Sequence, residues 1–104
     1  MQPKYSLVYL PQASEDFEEI VRYHLVTTGV NSARLIAGSM ETELGKLADF
    51  PLLGQIHPDP LLAMQGYRKL VLSKTYVAVY RILETIVTVY RIVNGRTDYP
   101  RLLY

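Results

Sequence analysis

The side chains of this sequence that could do chemistry are mainly basic, and they are concentrated in its C-terminal part. Residues 65–104 contain seven Lys and Arg against two Asp and Glu, a balance of +5, whereas residues 1–64 contain four against eight, a balance of −4. The formal net charge of +1 is therefore a cancellation. Grouped cations suit an anionic partner, although basic side chains on strands also simply solvate a surface. The basic residues are Arg68, Lys69, Lys74, Arg81, Arg91, Arg96 and Arg101.

Other residue types that carry chemistry are few. The sequence has no cysteine, which excludes disulfides, thiolate nucleophiles and cysteine-based metal sites. His24 falls among apolar residues at helical spacing, which is typical of a half-buried core side chain, and His57 lies in a proline-rich segment without a second ligand nearby. Glycine-rich phosphate loops and known nucleophile motifs are missing from the sequence. We therefore predict no metal site and no cofactor.

Four tyrosines alternate with the basic residues in this half of the chain. Their rings could stack on bases, as on an RNA-binding sheet. Tyrosine is also a common strand residue, and we favour that interpretation. The residues are Tyr67, Tyr76, Tyr80 and Tyr90.

Length and composition predict one packed domain over residues 1–104. The chain is 49% hydrophobic and 20% charged, which is enough apolar material for a core. No apolar run approaches the ~20 residues that a membrane helix needs, and the N-terminus lacks the charged start and apolar middle of a signal peptide. We therefore expect a cytoplasmic protein without a membrane partner.

Hydrophobic periodicity predicts an α+β fold. An N-terminal strand is followed by two amphipathic helices, which a short turn should pair as an antiparallel hairpin. A loop with three prolines leads to a β-meander, so we expect one mainly antiparallel four-stranded sheet. The predicted elements are a strand at 5–10, a helix from Pro11 to a stop at 27–29, a helix capped by Asn31 and ending near Asp49, a loop at 51–66, strands at 67–72, 75–83 and 86–93, and a tail at 96–104.

The tight turn predicted at Glu84-Thr85 sets an expected register for the last two strands. Constant alternation would place Arg81 opposite Thr88 and Ala78 opposite Arg91, with Ile92 on the same face as Val77. Both faces of this hairpin are largely apolar, and the helices can cover only one. The other face should be covered by a partner, by the tail folding back, or by a self-contact.

The elements and certain residues, taken in order, resemble the RelE/ParE toxin superfamily over essentially the whole chain. This resemblance implies a RelE/ParE-like fold and a small bacterial toxin of a type II toxin–antitoxin, or plasmid stabilisation, system. The residues that carry it are Ala13, Asp16, Phe17, Ile20 and Tyr23; Leu47, Pro51 and Gly54; Gly66, Tyr67 and Arg68; Tyr76, Tyr80, Arg81 and Ile82; and Ile92, Asn94, Gly95, Arg96, Asp98 and Tyr99.

Two activities divide the family that the sequence resembles. RelE-like members cut mRNA in the ribosome, where basic residues stabilise the charge that develops on a phosphate, and ParE-like members inhibit DNA gyrase. Arg68 fits a nuclease position by resemblance, but Val77 stands where an active member has arginine. Thr97 matches another arginine position, with Arg96 one residue early. These gaps favour the ParE-like branch and a chain that is not an enzyme.

The candidate site residues follow from these alternatives. Contacts with a target or an antitoxin are expected from Arg68, Lys69, Arg81, Arg96 and Arg101. If the chain is instead a ribosome-dependent mRNA endonuclease, the catalytic set would be Arg68, Arg81, Arg96 and Tyr99. Arg91 should pair with an acidic helix residue.

The resemblance also implies the partners. A cognate antitoxin, commonly acidic in this family, would wrap a helix and an extended segment over the helices and sheet. The target would be DNA gyrase or the ribosome and its mRNA, and the assembly a homodimer or a toxin–antitoxin hetero-oligomer. A third alternative is a decayed toxin that only binds its antitoxin.

Overall fold

A computed structural model of the protein describes residues 4–104 and has an α+β architecture. Two long helices form an antiparallel layer against one sheet, and a short third helix lies within the proline-rich loop. The strands are β1 (Ser6–Tyr9), β2 (Gln55–Ile56), β3 (Arg68–Leu72), β4 (Tyr76–Leu83) and β5 (Ile86–Asn94), and the helices are α1 (Pro11–Thr27), α2 (Val30–Gly45) and α3 (Pro60–Met64), with 3₁₀ turns at Lys46–Ala48 and Tyr99–Leu103.

The sheet has five strands in the order β1-β5-β4-β3-β2. The first strand runs parallel to β5, and the other neighbours are antiparallel. The expected count of four strands is therefore wrong, and the sheet is mixed. The additional strand, β2, contributes only Gln55 and Ile56, which pair with Lys69 and Arg68. Two residues inside a segment rich in proline and glycine carry no alternation that sequence periodicity could detect.

The helical hairpin forms as the sequence predicts, apart from the start of its second helix. Pro11 occupies the first turn of α1, where its missing N–H costs nothing. The second helix begins at Val30 and is preceded by Gly29, whose φ of 120° favours glycine. Asn31 therefore lies inside α2 and is not the N-cap. Among residues 4–104, no helix is both long and apolar enough to span a membrane.

The face of the sheet that the helices cover, here called the helix face, carries the main core. Tyr76, Ala78 and Tyr80 of β4 pack there against α1 and α2. The buried side chains that complete this cluster are Ala13, Met40, Leu44, Leu47, Leu72, Val87, Val89 and Ile92. Burial of this kind is the main source of folding free energy in a domain of this size.

A β-bulge changes the expected register between β4 and β5. Arg81 pairs with Thr88 as predicted, but Val79 pairs with Arg91 while Tyr80 pairs with Val89, so one extra residue is accommodated at Tyr90. Ala78 consequently lies opposite Ile92, and the prediction that it faces Arg91 is wrong. Ile92 is turned into the helix-face core. Because both faces of this hairpin are apolar, the alternation pattern could not reveal the bulge.

The opposite face, here called the tail face, has a smaller core built on Val77, Val79 and Val93. The C-terminal tail folds back over it and buries Tyr99, and the loop contributes Leu62 of α3 and Tyr67. Of the three covers that the sequence left open, the structure shows the tail fold-back, assisted by the loop helix. Asp59 caps α3 by accepting hydrogen bonds from the amides of Leu61 and Leu62.

Candidate functional site

The predicted cations of β3 lie on opposite faces of the sheet. Arg68 alternates with Leu70 and Leu72 and lies opposite Tyr80, so it belongs to the helix face. Its neighbour Lys69 lies opposite Val79 and belongs to the tail face. The two side chains therefore cannot contact one phosphate or one partner group from the same side.

Arg68 is engaged in holding the loop that follows α2. Its Nε donates a hydrogen bond to the carbonyl oxygen of Gly54 at 3.0 Å. The buried hydroxyl of Tyr80 accepts from the amide of Gly54 at 2.9 Å and donates to the carbonyl of Pro51 at 2.8 Å. A Cβ on Gly54 would lie 2.5 Å from the backbone oxygen of Lys69 and 2.7 Å from the hydroxyl of Tyr80. Only glycine permits this approach.

Arg81 of β4 is held between two tyrosine rings on the tail face. Its guanidinium carbon lies 4.7 Å from the ring centroid of Tyr67 and 4.9 Å from that of Tyr90, within cation–π range. Nη2 donates to the hydroxyl of Tyr90 at 2.7 Å, and Nη1 donates to the carbonyl of Gln65 at 3.2 Å. The hydrogen bond that Arg81 donates to the Tyr90 hydroxyl raises the pKa of Arg81 further above its usual value. This cation is thus already provided with partners.

Tyr99 of the tail is buried against the sheet, and its hydroxyl forms a 2.7 Å hydrogen bond with Nε2 of His57. Nδ1 of His57 accepts a hydrogen bond from the amide of Asp59 at 3.0 Å, which assigns the ring proton to Nε2 in the neutral imidazole. Burial and the charge of Lys69 lower the pKa of His57, against an opposing effect of Asp59. Burial likewise raises the pKa of Tyr99. Both groups are neutral and mutually bonded near pH 7.

The remaining predicted cations, Arg96 and Arg101, are exposed in the tail. Arg101 forms a solvent-exposed ion pair with Asp98 at 3.1 Å. Exposed pairs of this kind contribute little to stability, so they leave the cation available for an incoming partner.

Arg91 pairs with an acidic helix residue, as the sequence predicts, and that residue is Asp16 of α1. Nε of Arg91 lies 2.7 Å from one carboxylate oxygen, and Nη2 lies 3.1 Å from the other. The amide of Ile92 also donates to this carboxylate at 3.0 Å. Asp16 raises the pKa of Arg91 through its hydrogen bond. The pair fixes α1 to β5 at the bulge and has no exposed acid or base to offer.

The four residues of the alternative nuclease set therefore do not lie together in the structure. Arg68 lies on the helix face, Arg81 lies on the tail face, Tyr99 of the tail is buried against the sheet, and Arg96 is exposed to solvent. Within residues 4–104, no three His, Asp or Glu side chains are grouped as metal ligands would be. Sequence reasoning missed the role of His57, because its partner Tyr99 lies 42 positions away and no local pattern connects them.

Exposed apolar side chains gather at one end of the sheet. A cleft between the loop and the start of β1 is lined by Tyr5, Phe50, Leu52, Leu53 and Ile82. Leu83 and Ile86 are also exposed at the β4–β5 turn, which lies at the same end because β1 starts beside Ile86. Contiguous exposed apolar surface is typical of a protein-binding site.

Comparison with known proteins identifies the family. The family described as "ParE toxin of type II toxin-antitoxin system, parDE" matches residues 7–99. A chain of the chromosomal ParDE system of P. aeruginosa superposes with a TM-score of 0.73 at 20% identity, covering 88% of this chain and 96% of that one. A comparison with curated proteins finds no match.

Two further solved structures share the fold. A chain of the RelBE2 toxin–antitoxin complex from Mycobacterium tuberculosis has a TM-score of 0.62 at 23% identity, covering 88% of this chain and 98% of that one. A mutant of the E. coli toxin RelE in the free state has a TM-score of 0.62 at 13% identity, covering 95% of this chain and 92% of that one. At such identities these structures establish the fold alone, and it is the match over residues 7–99 that makes this chain a member of the ParE toxin family of type II toxin–antitoxin systems.

Proposed function

We propose that this toxin arrests growth by binding a protein target, DNA gyrase, in the bacterial cytoplasm, and that it has no chemistry of its own. One observation carries the proposal: the candidate nuclease residues do not share an accessible surface. Arg81 is enclosed by Tyr67 and Tyr90, and the Tyr99 hydroxyl is bonded to buried His57. RNA cleavage requires a general base that takes the proton of the 2′-hydroxyl and a cation that stabilises charge on the adjacent phosphate, and both groups must reach the same linkage.

The exposed surface supports protein recognition. The apolar cleft beside Phe50, Leu52 and Leu53 offers area to desolvate, and the exposed Arg96 and Arg101, with the half-buried Lys69, supply positive charge. Apolar area and exposed cations both occur in protein interfaces, and here Arg96 lies beyond Asn94, at the end of β5 away from this cleft.

A cognate antitoxin is the second partner that we propose, with plasmid or chromosomal stabilisation as the biological role. An acidic antitoxin would match the balance of +5 in residues 65–104. Contact with Arg96 and Arg101 would bring its charge to the tail, and its apolar residues would cover the exposed ends of the sheet.

The proposal is tested by two activities of the purified protein. We expect increasing concentrations to inhibit the supercoiling of relaxed plasmid by DNA gyrase, and we expect mRNA on translating ribosomes to remain intact in a primer-extension assay. Ribosome-dependent cleavage that is lost in Arg68→Ala would overturn the proposal and support the endonuclease alternative. Silence in both assays would overturn it in favour of a decayed toxin.

A matched pair of charge variants tests the proposed contact residues. Arg96→Ala combined with Arg101→Ala should weaken gyrase inhibition by about tenfold, the scale of one or two lost charged contacts. Arg22→Ala removes an exposed cation from the acidic helical half and should leave inhibition unchanged. Equal effects of the two changes would indicate dependence on total charge and no local contact.

A further inference from the structure

The C-terminal tail is held on the sheet by very few contacts. Tyr99 and, in part, Leu103 pack on the tail face, whereas Arg96, Thr97 and Arg101 are exposed. The apolar patch beneath the tail consists of Val77, Val79 and Val93. A segment that makes so little apolar contact opens at a small fraction of the global free energy of unfolding.

Two tyrosine hydroxyls fasten this tail, and both reach the same short stretch of the loop. The hydroxyl of Tyr99 bonds to Nε2 of His57 at 2.7 Å, with the two rings in an edge-to-face contact at 5.6 Å. The hydroxyl of Tyr104 donates to the carboxylate of Asp59. Asp59 in turn donates its amide hydrogen to Nδ1 of His57 and caps α3. The His57 imidazole therefore connects the two attachments of the tail, through Tyr99 on one side and Asp59 on the other.

From this arrangement we propose that residues 95–104 are a strap, released when His57 takes up a proton, which bares the apolar patch of Val77, Val79 and Val93. Protonation at Nδ1 would place two N–H groups face to face at 3.0 Å, where the neutral ring accepts a hydrogen bond. That contact must break, and Asp59 moves with it. Both fastenings depend on this turn, so they loosen together. The proposal holds whichever protein the toxin inhibits.

The groups around His57 set the direction of the response. Lys69 approaches from β3, the Asp59 carboxylate lies in the loop, and the hydroxyls of Tyr99 and Tyr104 come from the tail. Burial and Lys69 lower the pKa of His57 and outweigh Asp59. The closed strap therefore favours the neutral ring. The contribution of His57 to the stability of the closed strap is complete above the ordinary histidine pKa of about 6.5. It is lost as the pH falls through the lower pKa that His57 has in the closed strap.

Hydrogen exchange across pH 5.0–7.5, normalised to intrinsic rates, tests the proposal on the full chain. Protection of amides in residues 95–104 should fall by about threefold or more towards pH 5, because proton uptake by His57 favours the open strap. Amides of β4 should keep their protection, which separates release of the strap from global unfolding. Constant protection of the tail over this range would overturn the proposal.

Two variants separate the imidazole from general effects of acid. His57→Gln keeps a donor towards Tyr99 but does not titrate, so it should abolish the pH dependence of tail protection. If this variant does not fold, Tyr99→Phe tests the hydrogen bond between the tail and His57 directly, because it retains the packed ring and removes the hydroxyl. It should lower tail protection at pH 7.5 towards the wild-type value at pH 5. Tyr23→Phe, at an exposed ring on α1, is the control and should behave as wild type. A pH dependence that persists in His57→Gln would contradict the proposal.

Discussion

The two faces of one sheet are covered in different ways. On the helix face, two helices of 17 and 16 residues bury a continuous core. On the tail face, a five-residue helix and a five-residue 3₁₀ turn cover a smaller core. Hydrogen bonds of tyrosine hydroxyls and of one arginine add to the packing of this smaller core. We therefore expect the helix face to maintain the fold and the tail face to be the one that rearranges.

The largest effect that would test this comparison comes from the helix face. Asp16→Ala leaves Arg91 and the amide of Ile92 without their carboxylate. Loss of one member of a buried pair should lower the free energy of unfolding by about 3 kcal/mol, measured by urea denaturation. Glu15→Ala, at the neighbouring exposed position of α1, should change it by less than about 0.5 kcal/mol. Equal losses in the two variants would show that the buried pair is not specifically required.

A smaller loss is expected at the loop clamp beside Tyr80. Gly54→Ala places a methyl group 2.5 Å from the backbone oxygen of Lys69, so the loop must move. Overpacking of this kind costs about 1–3 kcal/mol. Gly38→Ala is the matched control, because nothing lies within 4 Å of the added Cβ, and in a helix interior it should stabilise by up to about 1 kcal/mol. Stability unchanged in Gly54→Ala would show that the clamp adapts.

On the tail face, the next largest loss of stability is expected when the guanidinium of Arg81 is replaced. Arg81→Lys keeps the charge but loses the planar group between Tyr67 and Tyr90, and should cost about 1 kcal/mol in urea denaturation. Arg101→Lys, in the exposed tail, is its control and should have no measurable effect. A neutral result for Arg81→Lys would mean that the rings pack equally well around an ammonium.

The smallest effect on stability is expected at the exposed ion pair of the tail. Arg101→Ala should change the free energy of unfolding by less than about 0.5 kcal/mol, because exposed pairs contribute little. If Arg101 contacts the target, as we propose, this variant weakens gyrase inhibition while remaining as stable as wild type. A stability loss as large as that of Asp16→Ala would place the tail within the cooperative core.

Features of the sequence that repeat with a regular period were predictable. Helical spacing of Ala13, Phe17 and Ile20, and the strand residues around Tyr80, gave the helices and the meander. The strand β2 and the bulge at Tyr90 were not predictable, because the first is too short for a pattern and the second lies where both faces are apolar. The parallel partner of β1 was also out of reach, since strand order depends on tertiary packing.

The candidate site was less predictable than the fold. Residue types marked Arg68 and Arg81 as cations, but their roles depend on contacts with Gly54, Tyr67 and Tyr90 that lie far apart in sequence or follow from strand faces. The predicted pairing of Arg91 with an acidic helix residue is confirmed, although the register from which it was inferred is changed by the bulge. The sequence is enough to locate a region of net positive charge, whereas the contacts that each basic side chain makes are known only from the structure.

The pairing of β1 with β5 has a consequence for how the protein is made. Ser6 lies beside Ile86, eighty positions later in the chain, so this contact closes a loop that includes both long helices. Contacts of such sequence separation form late, after local helices and hairpins. During synthesis β1 therefore has no strand partner until β5 has left the ribosome. The sheet therefore lacks its parallel edge pairing until β5 is available to β1.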